Sequence, residues 1–243
     1  LWKSSQPNGS VNDKTVAATL RALADNLDSS ILVFLPGQGE IRRVEDSLAM
    51  ELQSQKISGV HLRTLYGNLS LEEQQAAIAP VLNPGERKIV LATNIAETSL
   101  TIEGVDVVID SGFAREPVFD PTSGMTRLHT RKISQASSTQ RMGRAGRLRP
   151  GKCYRLWSKS QQDQMAPHAT PEILNADLTP VALQLLQWGI NDPADLTWLD
   201  PPGSGPWLQA ISLLMKLGAL VEGDNGPRTT NHGLQMQTLI HLL

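Results

Sequence analysis

The sequence predicts a mixed α/β protein: a parallel sheet with helices between its strands, followed by a smaller, mostly helical module. Two observations carry this. Short apolar runs without polar alternation recur through the first two-thirds of the 243 residues, separated by segments with apolar residues at helical spacing. That alternation is the pattern of a doubly wound sheet whose strands are covered on both faces. After about residue 166 the strand-like runs give way to apolar-faced helices. The expected division is a linker and leading helix over 1–28, the α/β domain over 29–165 and the helical module over 166–243.

Lys14 to Asn26 carries Val16, Leu20 and Leu23 on one helical face. Ile31-Leu32-Val33-Phe34-Leu35 is a continuous apolar run stopped by Pro36-Gly37, as expected of a strand buried on both sides. Ile41, Val44, Leu48 and Leu52 then mark a helix. Next come a strand near His61 to Leu65, a helix from Leu71 to Ile78, and strands at Lys88 to Ala92 and Val105 to Asp110. Phe119 to Leu128, with Asp120-Pro121-Thr122-Ser123-Gly124 between its arms, reads either as a hairpin or as a plain surface loop. A helix near Ser138 to Arg147 precedes a last strand, Cys153 to Trp157. In the second part, Leu178 to Trp188 and Pro206 to Leu217 are apolar-faced helices, with Pro206 suited to a first turn and Gly218 to a C-terminal cap. Leu220-Val221, the turn Gly223-Asp224-Asn225-Gly226 and Arg228-Thr229-Thr230 form a second hairpin pattern. Two helices with a hairpin point to a winged-helix module, and Leu243 falls inside what reads as another helix, as in a fragment of a longer chain.

Composition bounds the function. Apolar residues make up 40% of the chain and aromatics only 4%, so the core is mainly aliphatic. No apolar run reaches the roughly 18 residues a membrane span needs, and Leu1-Trp2-Lys3-Ser4-Ser5 lacks the apolar centre of a secretion signal. A single cysteine, Cys153, excludes an internal disulfide framework and a cysteine-rich zinc site, and the expected compartment is the reducing cytoplasm. The net charge is −2, yet residues 111–160 hold eleven Lys/Arg against two acids, a local charge of +9.

Inside that basic block lies Ser137-Ser138-Thr139-Gln140-Arg141-Met142-Gly143-Arg144-Ala145-Gly146-Arg147. Ser137 and Gln140 have the spacing of a capping box. At about 100° per residue, Gln140, Arg144 and Arg147 fall at roughly 0°, 40° and −20°, one narrow face, with Arg141 off it. Gly143 and Gly146 each cost about 1 kcal/mol relative to alanine in a helix interior, so this string is an expensive way to make a plain basic surface helix. Two cations and an amide on one face suit phosphoryl transfer: cations for charge developing on a γ-phosphate, an amide to orient a water.

Gln140 to Arg147 resembles motif VI of the DEAH-box branch of superfamily 2 helicases. Thr93-Asn94-Ile95-Ala96-Glu97-Thr98-Ser99-Leu100-Thr101 resembles their motif V, Phe34-Leu35-Pro36-Gly37 their motif IV, and Leu65-Tyr66-Gly67 the short motif after it. The four occur in family order across roughly residues 30 to 157. Ala176-Asp177-Leu178 and Trp188-Gly189 look closest to the bacterial HrpB-type helicases. The resemblance implies a second RecA-like domain followed by the start of a winged-helix region. It implies that Gln140 positions the attacking water and that Arg144 and Arg147 are arginine fingers. It places Ser99, Thr101 and Glu103 near the nucleotide ribose, Glu103 standing where aspartate is commoner. Ile78 stands where relatives stack an aromatic on adenine; an aliphatic side chain there predicts weak base selectivity. Gly37, Thr93 and Asn94 are implied contacts to a nucleic-acid backbone. Small polar groups at a strand end are suited to phosphate, although Asn94 can equally cap the next helix and Gly37 can equally be a plain Pro-Gly turn.

Gly146-x-x-x-x-Gly151-Lys152 nearly matches a phosphate-binding loop, but Cys153 replaces the Mg²⁺-binding hydroxyl, and the order helix then strand is the reverse of what that loop requires. No true GxxxxGK[ST] and no Asp-Glu-x-His occur. ATP affinity and the Mg²⁺ ligands are therefore expected in a preceding RecA-like domain of the same protein. The expectation is a monomeric ATP-dependent helicase half whose partners are that domain and single-stranded RNA or DNA, with no membrane association and no metal site of its own. The alternative is a non-catalytic module that holds nucleic acid or protein through the basic block.

Overall fold

The computed structural model describes residues 9–98, 101–145, 150–224 and 226–240. The chain divides into two compact units, Leu1–Glu116 with Thr130–Ala169, and Pro117–His129 with Thr170–Leu243. The elements in order are α1 Val11–Asp25, β1 Ser30–Phe34, α2 Gln38–Ser54, β2 Val60–Leu65, α3 Leu71–Ile78, β3 Arg87–Ala92, β4 Val105–Asp110, β5 Phe113–Asp120 and β6 Met125–Lys132. They continue with α4 Gln135–Met142, β7 Lys152–Arg155, α5 Lys159–Asp163, α6 Thr179–Gln187, α7 Ser204–Lys216, β8 Leu220–Val221, β9 Arg228–Thr229 and α8 Asn231–Ile240.

The first unit is built on a five-stranded sheet in the order β2-β3-β1-β4-β7, with every pairing parallel. β1 is buried along its whole length, and its side chains alternate between two cores as the pleat demands. Ile31, Val33 and Leu35 pack with the apolar stripe of α2, Ile41, Val44, Leu48 and Leu52. Leu32 and Phe34 face the other layer, with Ala77, Ala96 and Ala145. The helix starts are locally specified: Ser10 with Asp13 and Ser70 with Glu73 form complete capping boxes for α1 and α3. β1 is flanked by β3 on one side and β4 on the other, so the strand order reverses across it. Such a switch point opens a crevice at the carboxyl ends of the strands.

β5 and β6 form the hairpin, longer than the sequence predicts because β5 begins at Phe113. Its turn is set by Asp120, whose carboxylate accepts from the Thr122 amide at 3.0 Å and the Ser123 hydroxyl at 2.8 Å, and by Gly124 at φ +65.

In the second unit, α6, α7 and β8 share a core of Leu183, Leu186, Trp207, Leu214 and Leu220. Gly218, at φ +70, ends α7. The Thr230 hydroxyl ties β9 back to the Gly218 carbonyl at 2.7 Å and accepts from the Gly233 amide of α8 at 3.0 Å. Helices α6 and α7, a two-stranded wing and the following helix make the arrangement expected of a winged helix. No helix among the described residues is long and apolar enough to cross a membrane.

Candidate functional site

The arginine segment differs from its predicted geometry. α4 covers Gln135–Met142 and gives way to a tighter three-residue turn, Gly143–Ala145. Its cap is Ser134, whose hydroxyl accepts from the Ser137 amide at 3.1 Å, so Ser137 lies inside the helix and forms no box with Gln140. The shared-face arithmetic therefore stops at Met142, because the turn beyond it runs at about three residues per turn. Gln140 is exposed. Arg144 is only 8% exposed, and two of its N–H groups, Nε at 2.9 Å and Nη2, donate to the Glu97 carbonyl. Arg147, the remaining expected finger, lies outside the described residues.

Arg141, which the helical wheel set aside, is the most enclosed cation among the described residues of the first unit. It is fully buried, with Nε donating to the Glu97 carboxylate at 3.1 Å, Nη1 to Asp110 at 2.9 Å and to the Phe113 carbonyl at 3.2 Å. Its guanidinium also lies over the Phe34 ring, 4.8 Å from the centroid. Burial pushes the Asp110 carboxyl upward against the pull of Arg141 and of the Gly112 amide. One residue, Glu97, thus receives Arg141 on its carboxylate and Arg144 on its carbonyl. The only sequence signal for this junction was negative: Arg141 sits off the face shared by its neighbours.

The expected nucleic-acid residues collect at the carboxyl ends of β1 and β3. Gly37 precedes α2, buried and in extended backbone. A side-chain carbon there would come within 2.8 Å of the Arg115 side chain, which also pairs with Glu40 at 3.3 Å in the first turn of α2. The atoms it would meet are the far end of a flexible, part-exposed side chain that can swing aside, so packing by itself does not demand glycine here. Gln38 donates to the Tyr66 hydroxyl at 3.0 Å, joining the segment after β1 to the segment after β2. The Thr93 amide donates to the Leu65 carbonyl at 3.1 Å, and Asn94 starts a three-residue turn, exposed. Asn94 is not the cap of that turn: Thr93 holds the cap position, and it makes no side-chain capping bond.

The expected nucleotide residues lie at the opposite, amino, end of the sheet. The Ser30 amide donates to the Gly104 carbonyl at 3.2 Å and the Lys88 amide to the Ser30 hydroxyl at 3.1 Å, so the starts of β1, β3 and β4 are tied together beside Glu103. Thr101 and Glu103 are exposed and Ile78, the last residue of α3, is half-buried. Ser99 lies outside the described residues. Sequence reading missed Lys88, although a lysine heading the apolar run Ile89-Val90-Leu91-Ala92 was a visible anomaly. It is 2% exposed and its ammonium donates to the carbonyls of Ala77 and Ile78, each at 2.9 Å, and of Ala79. Burial pulls it down to about 8, with Glu103 favouring the charged form and Arg63 opposing it.

The donor set fits a triphosphate only in part. An exposed amide and a guanidinium can receive charge on one side, but the sequence has no loop of backbone amides to cradle phosphates. Burial pushes the Cys153 thiol up to about 11, so it keeps its proton near neutral pH.

Comparison with known proteins accords with this layout. Residues 14–149 match the helicase conserved C-terminal domain. The chain is 48% identical over 227 residues to the ATP-dependent RNA helicase HrpB of Escherichia coli (strain K12), covering 93% of the chain and 27% of that protein. It is 39% identical to the pre-mRNA-splicing factor ATP-dependent RNA helicase prp22 of Schizosaccharomyces pombe, covering 90% of the chain and 19% of that protein. A crystal structure of the Escherichia coli DEAH/RHA helicase HrpB superposes with a TM-score of 0.85 at 47% identity, over 98% of this chain and 29% of that one. A second, of the Escherichia coli DExH-box NTPase HrpB, gives 0.80 at 46% identity, over 98% of this chain and 28% of that one. The chain thus spans about a quarter of the length of its HrpB relatives, and the parallel sheet is that of their RecA-like domain. A matched span that runs from α1 through the Glu97, Arg141 and Arg144 junction places this chain in the helicase conserved C-terminal domain family.

Proposed function

We propose that this chain is the C-terminal motor half of an ATP-dependent, DEAH-type helicase acting on RNA. The observation that carries the reading is the double attachment at Glu97, which ties the turn that follows the expected strand contacts Thr93 and Asn94 to the arginine segment. ATP with Mg²⁺ supplies the phosphoryl-transfer chemistry when a preceding RecA-like domain completes the site. Here Gln140 offers an exposed amide to orient a water, and Arg144 a preoriented cation whose displacement is felt directly at Glu97. Arg147 is the second finger, and Ser99, Thr101 and Glu103 flank the ribose. Gly37, Thr93 and Asn94 meet the backbone of a single strand. The RNA helicase names of the relatives support RNA as the nucleic acid.

The test is nucleic-acid-stimulated ATP hydrolysis by the full-length protein. Arg144→Ala and Gln140→Ala are expected to lower kcat by about 10²–10³ while leaving strand binding intact. Normal turnover in a folded Arg144→Ala protein would sink the assignment. The 243-residue chain by itself is expected to hydrolyse no ATP. The second reading, a non-catalytic nucleic-acid module, draws on the exposed basic strand β6 and predicts strand binding indifferent to ATP and to Gln140→Ala.

A further inference from the structure

We propose that Lys88 is the positioning residue for the nucleoside end of the nucleotide site, acting by fixing the C-terminus of α3 and with it Ile78. The inference rests on the reading above that Ile78 and Glu103 face the nucleotide.

α3 needs such a fixture. It has eight residues and buries only one of them, Ala77, and helices this short are marginal without tertiary support. Its last carbonyls have no partners within the helix, and Pro80, one residue beyond the cap at Ala79, cannot prolong it. Three of those carbonyls, from Ala77, Ile78 and Ala79, converge on one ammonium. That ammonium is carried by a strand paired on both sides. Lys88 is paired with His61 in the ladder to β2 and held at its amide by Ser30. The end of α3 is thus referenced to the sheet rather than to its own packing.

A lysine can meet the last carbonyls of a helix from the surface, but this one is enclosed, only 2% exposed, and burial pulls its ammonium down to about 8. What the lysine adds is a link: the same charge that holds Ile78 is within electrostatic reach of Glu103, at the other flank of the expected nucleoside position. Displacing Ile78 therefore alters the grip on base and ribose, whereas Gln140 and Arg144 stand on a separate segment.

The experiment uses full-length protein. Lys88→Met is expected to raise KM for ATP roughly tenfold with kcat changed by less than about twofold, a split that marks loss of ground-state binding. ADP binding should weaken by the same factor, and inhibition by inorganic triphosphate, which lacks the nucleoside, should not change. Ile78→Ala should give a similar KM, and the double variant should be no worse than either single one. A folded Lys88→Met protein with wild-type KM overturns the inference, as do parallel losses in KM, kcat and triphosphate affinity, or strictly additive effects. If Lys88→Met fails to fold, Lys88→Arg, which keeps a donor at the helix end, should show a KM rise of about two- to threefold; an unchanged KM there overturns the inference. A full-length wild-type protein that turns over no ATP overturns the functional reading itself, whereas a normal KM in an active variant overturns this inference alone.

Discussion

Arg141 and Asp110 are both without solvent exposure, 2.9 Å apart. Removing one partner of such a pair strands the other. Arg141→Met is expected to destabilise the chain by about 3–5 kcal/mol in urea unfolding, while adding Asp110→Leu should recover much of that loss. A single substitution as costly as the pair would instead assign the loss to packing against Phe34. Cys153 is the other residue whose environment sets its chemistry. A thiol raised to about 11 holds its proton through neutral pH, so native reactivity should climb only as the pH nears that value. At pH 8 iodoacetamide should alkylate the native chain roughly a hundredfold more slowly than the urea-unfolded chain. Equal rates would show that the thiol is neither desolvated nor shielded. The cysteine's enclosure was legible, since Cys153 reads as a buried strand residue and stands in β7. That of Arg141 was not: an arginine reports its own chemistry in the sequence, but its burial depends on what folds around it.

Among the elements, α2 shows what periodicity can specify: Ile41, Val44, Leu48 and Leu52, picked out by spacing, are the residues it buries. The β1 run and the helix α3 were equally legible, since each is bounded by its own stop signals: Pro36 for the strand, Ser70 and Pro80 for the helix. α4 was not. Two serines three residues apart offer two capping frames, and the chain uses Ser134 because tertiary bonds hold that turn, Gln135 and Ala136 donating to the Ala166 and Pro167 carbonyls. Gly143, one of the residues that made the arginine string expensive as a helix, is where the helix ends, so the face expected to unite Gln140 and Arg144 is broken by a change of pitch. β6 is the element whose charges are most openly displayed. It is exposed along its full length and carries Arg127, His129, Arg131 and Lys132. Arg127→Ala with Arg131→Ala should weaken single-strand binding by the full-length protein and flatten its dependence on log salt by about 1.4, roughly 0.7 per lost phosphate contact. An unchanged slope would remove β6 from the strand path.

At the scale of the molecule, the parallel sheet keeps two candidate surfaces apart: Gly37, Thr93 and Asn94 beyond its carboxyl ends, Glu103, Ile78 and Lys88 at its amino ends. The rule that ligands meet open α/β sheets at their carboxyl ends located the first set and pointed away from the second. Sequence order could not reveal the separation, because motif V leaves β3 at Thr93 and ends at Thr101, only two residues before Glu103. β3 joins the two surfaces. From Lys88 to Ala92 it is an extended strand held between β1 and β2, and with the further step to Thr93 five rises of about 3.3 Å give a span of about 16 Å. That span is about twice the Debye length at physiological ionic strength. Charges exposed at the two ends are thus largely screened from one another through solvent, whereas a displacement carried along this buried strand would not be weakened by added salt.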